Sequence, residues 1–176
     1  MNLYLRLIWL LLTYRFKPKM KITDILDRPM RVMPGDLDIN GHVNNGRYLT
    51  LVDLAIIETF LRSGLLFKAV RLGWRPMFGG SFITYRRGLK LFAKYTLRFQ
   101  LQSWDERWNY FRFEFIQVEK TAALGYAKGA LVGSKGWISN AEADAQLSIA
   151  RRERIHPPEL AFWISAEQSL AANIVR

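Results

Sequence analysis

Residues 36–45 form an unusually dense group of side chains that could take part in catalysis. The segment reads Asp36-Leu37-Asp38-Ile39-Asn40-Gly41-His42-Val43-Asn44-Asn45. It combines two carboxylates, three carboxamides and one of the two histidines of the chain. Carboxylate and imidazole groups are common nucleophiles and general bases. The segment is therefore a candidate active site. The alternative interpretation is a polar loop whose Asp and Asn side chains only close Asx-turns and cap a helix.

The residues after this segment predict a helix over 48–62, enclosed by the protein because apolar residues cover most of its sides. Asn44 or Asn45 would be its N-cap, and Ser63-Gly64 would end it. The N–H groups of a first helical turn lack partners within the helix and lie at the positive end of its dipole. A helix start of this kind can stabilise an oxyanion.

A carbonyl group bound at this helix start would be polarised and open to attack. Asp38 on the opposite side could attack the carbon directly, or it could take a proton from an attacking water. Asn40 and His42 would orient that water or hold the carboxylate. This chemistry is acyl transfer.

Alternating polarity after residue 76 predicts a set of antiparallel strands. The predicted strands are 82–91, 95–102, 111–115 and 124–132, and another at 30–33 precedes the helix. Asp105-Glu106-Arg107 would form a hairpin connection, and a further helix is predicted over 159–173. The apolar helix must be covered, and the predicted strands form one curved antiparallel sheet that can wrap around it. The predicted fold class is therefore α+β.

Residues 3–14 form an apolar run that is too short to span a bilayer and is followed by basic residues up to Lys21. A secretory signal would place its basic residues before the apolar run, so secretion is disfavoured. The run predicts an interfacial membrane helix, or a helix that packs on its own domain or on a second subunit. We divide the chain into this segment (1–21), a central domain (22–138) and a C-terminal helical extension (139–176).

Composition narrows the function further. The 176 residues include no cysteine, which excludes disulfides, a thiolate nucleophile and cysteine-ligated metal sites, and no metal site is predicted. Lys+Arg 26 against Asp+Glu 15 gives a net charge of +11, which favours anionic partners. Nucleic acid is disfavoured because no nucleic-acid-binding motif is found. The expected location is the cytoplasm, peripheral to the inner face of a membrane.

The segment 36–45, continued by Gly46-Arg47-Tyr48, resembles the signature of the hotdog-fold acyl-CoA thioesterases. This group includes the 4-hydroxybenzoyl-CoA thioesterases and the plant acyl-ACP thioesterases. Residues 81–89 and 104–108 are similar to two further parts of the family pattern, so the resemblance covers about 31–135. It implies a hotdog fold, a homodimer or homotetramer with active sites between subunits, and hydrolysis of an acyl-CoA or acyl-ACP. No cofactor is implied beyond the coenzyme A of the substrate.

The resemblance also implies roles for individual residues. The catalytic set comprises Asp38, Asn40, His42 and Asn45. Asp38 corresponds to the nucleophile or base and Asn45 to the donor of a backbone N–H, while the two family patterns give different roles to Asn40 and His42. The substrate-binding set comprises Asn44, Tyr48, Arg86, Arg87 and Lys90. The three cations would face the phosphates of coenzyme A, or they are a solvated strand end. The competing function is an acyl-binding or membrane-associated hotdog protein without activity.

Overall fold

The computed structural model describes residues 3–151 and 156–173 of the chain. The helices are α1 (Leu3–Thr13), α2 (Asn45–Arg62), α3 (Leu65–Arg71), α4 (Asn140–Leu147) and α5 (Pro158–Ala172). The strands are β1 (Leu26–Arg31), β2 (Arg75–Tyr85), β3 (Lys94–Trp104), β4 (Asn109–Gln117), β5 (Lys120–Gly133) and β6 (Gly136–Ile138).

The six strands form one antiparallel sheet in the order β1-β3-β4-β5-β2, with β6 paired to β5. Alternate residues of β3 and β4 point into the core, including Leu97, Phe99, Phe113 and Phe115. They pack in one cluster with buried residues of α2 such as Leu51 and Ala55. The predicted α+β arrangement, a sheet around one long helix, is confirmed.

The cap and the end of α2 are as the sequence predicts, whereas the helix begins earlier. The Asn44 side chain caps the helix by accepting a hydrogen bond from the N–H of Gly46 at 3.0 Å. Ser63 is the C-cap, and Gly64 follows in the left-handed conformation (φ 72°), which glycine adopts without strain. The helix starts three residues before the predicted position, because Asn45, Gly46 and Arg47 already have helical backbone.

Two strands lie earlier in the chain than predicted. β1 covers Leu26–Arg31 instead of 30–33, and it includes Pro29, which an edge strand tolerates. β2 covers Arg75–Tyr85 instead of 82–91. Its register shifts between Phe78 and Gly80, and a Cβ on Gly79 would lie 2.2 Å from the Trp108 ring. The glycines therefore mark a bulge inside the strand and not its boundary.

A buried carboxylate on α2 is balanced by three cations. Glu58 is 1% exposed and forms ion pairs with Arg28, with Lys17 at 2.7 Å and with Arg62 at 3.2 Å. Burial opposes ionisation of Glu58, but the hydrogen bond from Lys17 and the charge of Arg28 outweigh it and lower the pKa of this carboxyl. The network ties α2 to β1 and to the segment after α1.

The terminal helices pack on different clusters of buried residues. α1 buries Leu10 completely and packs Leu3 and Leu7 against the main core. α5 buries Leu160 in a second, smaller cluster with Tyr110 and Tyr126. The proposed division into three segments stays a prediction, and residues 1–2, 152–155 and 174–176 of its outer segments lie outside the described part.

Candidate active site

Residues 37–43 form a tight hairpin that holds the predicted catalytic carboxylate. Leu37 pairs with Val43, the N–H of Asp38 donates to the carbonyl of His42 at 2.9 Å, and the N–H of Gly41 donates to the carbonyl of Asp38 at 3.1 Å. Gly41 has a φ of 74°, which explains the glycine after the Asp-Ile-Asn turn. The hairpin returns the chain to Asn44, the cap of α2.

Asp38 is half-buried and keeps one oxygen available. Its Oδ1 accepts a hydrogen bond from the N–H of Asn40 at 2.8 Å, which is the Asx-turn of the alternative interpretation. Its Oδ2 accepts no hydrogen bond from any residue that the structure describes. The turn therefore fixes the carboxylate through Oδ1 and does not use Oδ2. The Asn40 side chain is exposed beside it.

Asp36 occupies a quite different environment two residues earlier. Its side chain is 1% exposed and accepts hydrogen bonds from Arg6 Nη2 at 2.6 Å and from the N–H of Met33 at 2.8 Å. Arg47 of α2 lies 3.8 Å from its other oxygen. The carbonyl of Asp36 also accepts from the N–H of Asn44 at 2.8 Å. Asp36 therefore holds the loop in place, whereas one oxygen of Asp38 accepts no hydrogen bond from the described residues.

The start of α2 offers an unused backbone donor. Asn44 serves as the cap, so Asn45 is the first residue of the helix. Within residues 3–151 and 156–173, the N–H of Asn45 makes no hydrogen bond, while its carbonyl accepts from the Tyr85 hydroxyl at 2.9 Å. Tyr85 thus joins the end of β2 to this helix start. Sequence reasoning missed Tyr85, since only the sheet topology brings it here.

His42 is held against the segment that follows β2. Residues 42 and 43 pair with 89 and 90, and the N–H of Val43 donates to the carbonyl of Leu89 at 3.0 Å. The imidazole lies over Gly88, where an added Cβ would come within 2.4 Å of His42 Cδ2. The ring is half-buried. Gly88 therefore leaves the space that the histidine ring occupies.

Tyr48 lies inside the core. Its ring packs edge-on against Tyr85 and Phe115, with centroid distances of 5.2 and 4.8 Å. Burial raises the pKa of its hydroxyl, although a hydrogen bond from the backbone of Leu89 opposes this. Only 2% of Tyr48 is exposed, so the structure gives it a packing role in the single chain.

A basic surface pocket lies at the end of β2, next to the helix start. It has a volume of about 500 Å³ and is lined by Tyr85, Arg86, Arg87, Lys120 and Thr121. The N–H groups of both arginines donate to the carbonyl of Ala122, which fixes their backbone beside β5. Lys90, the third predicted cation, is exposed but does not line this pocket. Lys120 takes its place, because the β4–β5 hairpin brings it there.

A separate, mainly apolar cavity of about 330 Å³ runs along α2. Its walls come from α2, β2, β5 and α4, and include Ile56, Phe60, Met77 and Leu147. Asp53 is its one lining carboxylate among the described residues, and burial raises the pKa of this group. Asp38 lines neither the cavity nor the basic pocket within this part of the chain.

Over the described ranges, no three His, Asp or Glu side chains are grouped to hold a metal ion. No helix in the same ranges combines the length and the apolarity needed to cross a membrane.

The profile of the thioesterase-like superfamily matches residues 32–156. The chain belongs to this superfamily. Protein THEM6 of Xenopus laevis is 30% identical over 146 residues, which are 81% of this chain and 69% of that protein. A probable thioesterase of Escherichia coli, YbaW, has a similar structure, with a TM-score of 0.65, 20% identity, and coverage of 69% of this chain and 96% of the other.

The thioesterase-like chain also resembles Slr0204, a 1,4-dihydroxy-2-naphthoyl-CoA thioesterase from Synechocystis. The TM-score is 0.59 at 13% identity, with 70% of this chain and 95% of the other covered. At this level of identity the similarity shows the fold alone. The resemblance to hotdog thioesterases and the predicted hotdog fold are both confirmed, while the roles of the individual site residues stay predictions.

Proposed function

We propose that this chain hydrolyses an acyl thioester of coenzyme A or of acyl carrier protein, with Asp38 as the catalytic carboxylate. The observation that carries the proposal is the junction of the 37–43 hairpin with α2. Within the described residues, the Asp38 Oδ2 accepts no hydrogen bond, the N–H of Asn45 donates none, and both groups belong to one short unit. Such a pair fits a carbonyl that must be polarised and attacked.

The reaction needs two groups of this unit. The thioester oxygen accepts a hydrogen bond from the N–H of Asn45 and is stabilised by the dipole of α2 as negative charge develops. Asp38 then attacks the carbonyl carbon, releases the thiolate and forms a mixed anhydride that water hydrolyses. In the other route, it takes a proton from a water that attacks the same carbon. Both routes give one acid and one thiol. Asn40 and His42 orient the carboxylate or the water.

The pocket and the cavity fit the two ends of such a substrate. Arg86, Arg87 and Lys120 offer cations to the phosphates of coenzyme A, and this role extends to exposed Lys90. The cavity along α2 suits an apolar acyl group. A coenzyme A thioester is also the substrate that the name of the Synechocystis neighbour gives. No further cofactor is required by this chemistry.

A homodimer would complete the site. β2 lies at the edge of the sheet and most of its residues are exposed. Antiparallel pairing of two β2 strands would bring the Met77 end, next to the apolar cavity, toward the Tyr85 end of the partner, next to the basic pocket. Acyl group and coenzyme A would then contact different subunits. A fully active species that sediments as a monomer would contradict this arrangement.

Replacing Asp38 by Asn tests the catalytic assignment. Asn still accepts the Asx-turn hydrogen bond, so we expect an unchanged unfolding midpoint together with a loss of kcat of about 10²- to 10⁴-fold. Thiol release from a panel of acyl-CoAs is the measurement. Asp27→Asn is the matched control, because it removes the same charge from an exposed site on β1. Equal turnover by Asp38→Asn and the parent protein would refute the assignment.

A single turnover in ¹⁸O-labelled water can identify the anhydride route. When water cleaves the anhydride at the Asp carbonyl, the label stays in the protein and the acid is unlabelled. Cleavage at the acyl carbonyl, and direct attack by a water that Asp38 activates, both place the label in the acid. Label in the peptide that contains Asp38, measured by mass spectrometry, would therefore establish attack by Asp38.

One observation favours binding without hydrolysis as the second candidate. The Asp38 carboxylate already closes a turn, and neither cavity of the single chain reaches it. If the protein binds an acyl-CoA but releases no thiol from any member of the panel, this second function is supported.

A further inference from the structure

The outer face of α1 is apolar and carries no charge. Six side chains of this face are exposed: Tyr4, Leu5, Ile8, Trp9, Leu11 and Leu12. Their exposed fractions range from 46% for Leu11 to 73% for Leu5. Arg6 is the single charged residue of the helix, and it points to the opposite side, where it binds Asp36. A helix that faces water normally carries polar residues on its outer side.

This exposure is fixed by the way in which α1 packs. Leu10 is fully buried, and Arg6 donates hydrogen bonds to Asp36 Oδ2 at 2.6 Å and to the carbonyl of Arg31 at 3.0 Å. Rotating the helix to hide its outer face would break the ion pair with Arg6 and deprive the buried Asp36 carboxylate of its nearest counter-charge. The apolar face therefore cannot turn inward.

Basic residues continue the same surface beyond α1. Phe16 is 88% exposed, and the neighbouring Arg15, Lys19 and Lys21 are exposed as well. The first acidic residue of the chain is Asp24. A second copy of this face would therefore offer no carboxylate to these cations, whereas an anionic lipid surface offers many. Trp9 and Tyr4 are residue types that prefer the boundary between headgroups and acyl chains.

From these observations we infer that α1 and the basic segment 15–21 dock the protein on an anionic phospholipid bilayer. α1 lies in the plane of the interface, with its outer face among the acyl chains and the cations among the headgroups. Apolar burial and electrostatic attraction act together, which is the combination that stable surface binding needs. The inference is independent of the proposed hydrolase activity, because binding needs neither Asp38 nor a substrate.

The test is cosedimentation of the full chain with phosphatidylcholine vesicles with and without phosphatidylserine. We expect binding to the phosphatidylserine vesicles and release by added salt. Trp9→Glu and Leu12→Glu each weaken this binding by at least about tenfold, because each loses the burial of a large apolar side chain. Lys19→Ser and Lys21→Ser each weaken it by about fivefold. The unfolding midpoint of Trp9→Glu and Leu12→Glu stays unchanged, since both side chains point away from the core.

Phe162→Glu is the matched control, because Phe162 is 76% exposed on α5, away from α1. This variant should bind vesicles as the parent protein does. Equal binding by parent, Trp9→Glu and Leu12→Glu would overturn the inference. So would a parent protein that ignores both vesicles while Leu12→Glu lowers its oligomeric state, which would assign the face to a second copy.

Discussion

Asp36 and Asp38 differ only in their surroundings. The buried Asp36 is neutralised by Arg6 and fixes the loop, whereas Asp38 is half-buried and one of its oxygens accepts no hydrogen bond from the part of the chain that the structure describes. A carboxylate that has lost its solvent depends on its counter-charge, which ties Asp36 to Arg6. Residue type alone does not distinguish the two carboxylates: the family resemblance selects Asp38, and the counter-ion that neutralises Asp36, Arg6, lies 30 residues away.

The contrast between buried and exposed carboxylates also applies to stability, where Glu58 is the buried example. Replacing Glu58 by Gln leaves three cations without a counter-charge in a buried site, and we expect a loss of about 3–5 kcal/mol in the free energy of unfolding. Asp27→Asn removes an exposed ion pair with Arg98 and should cost less than about 1 kcal/mol. Urea unfolding of both variants at neutral pH measures the difference, and equal losses would contradict the buried role of Glu58.

The same residue gives a pH dependence with a defined sign. The pKa of Glu58 is lower in the folded protein than in the unfolded chain. Its contribution is therefore fully present above the unfolded value, about 4.3, and is lost as the pH falls through the folded value. Glu58→Gln should remove this part of the acid destabilisation, which urea titrations over a range of acidic pH would show.

At the scale of elements, β2 and β5 meet at a glycine. A Cβ on Gly125 would lie 2.1 Å from the carbonyl oxygen of Phe82 and 2.9 Å from Ile83 Cα. Gly125→Ala must therefore push β2 away from β5, and we expect a loss of about 1–3 kcal/mol or more. Gly129→Ala is the milder control on the same strand, since its Cβ would stand 3.3 Å from the Met77 carbonyl oxygen. Equal urea midpoints for the two variants would refute this close approach.

Elements with local signals could be predicted from the sequence. Strands β3 and β4 alternate, β5 carries small residues that allow close approach, and α2 carries its own cap and terminal glycine, so these elements lie where the sequence predicts them. The predicted start of β2 is wrong because Gly79 and Gly80 form a bulge beside the ring of Trp108, which lies in the connection between β3 and β4. α3 was missed altogether: its seven residues follow α2 almost without a break.

The residues of the candidate site also differ in whether a local sequence signal predicts them. The Asp38 turn and the Asn44 cap are local and could be predicted from the motif. Tyr85, Gly88 and Lys120 could not, because strand pairing brings them to the helix start from distant parts of the chain. Asp53 was also missed, since a single carboxylate on an apolar helix gives no sign that it lines a cavity.

At the scale of the whole molecule, the net charge of +11 attracts the phosphates of the proposed substrate as well as an anionic lipid surface. Replacing Arg86 and Arg87 by Ser should raise KM for an acyl-CoA by about tenfold and leave kcat nearly unchanged. The salt dependence of KM should fall in the same variant. The corresponding acyl-pantetheine, which lacks the nucleotide phosphates, should show no such difference.

Arg98→Ser serves as the control for this prediction, since Arg98 is an exposed cation on β3 and does not line the basic pocket. It lowers the total charge without touching the pocket. An equal rise in KM for Arg98→Ser would mean that overall charge, and not the pocket, attracts the substrate.

The contact between Arg6 and Asp36 has a practical consequence for anyone who shortens this protein. Removing an apolar first helix is a common way to improve the yield of an expressed protein. Removing α1 would take away Arg6, the counter-ion of the loop that precedes Asp38. It would also expose the part of the core that Leu10 covers. Low activity of a truncated protein would therefore reflect damage to its structure. Single substitutions on the outer face of α1 avoid this damage.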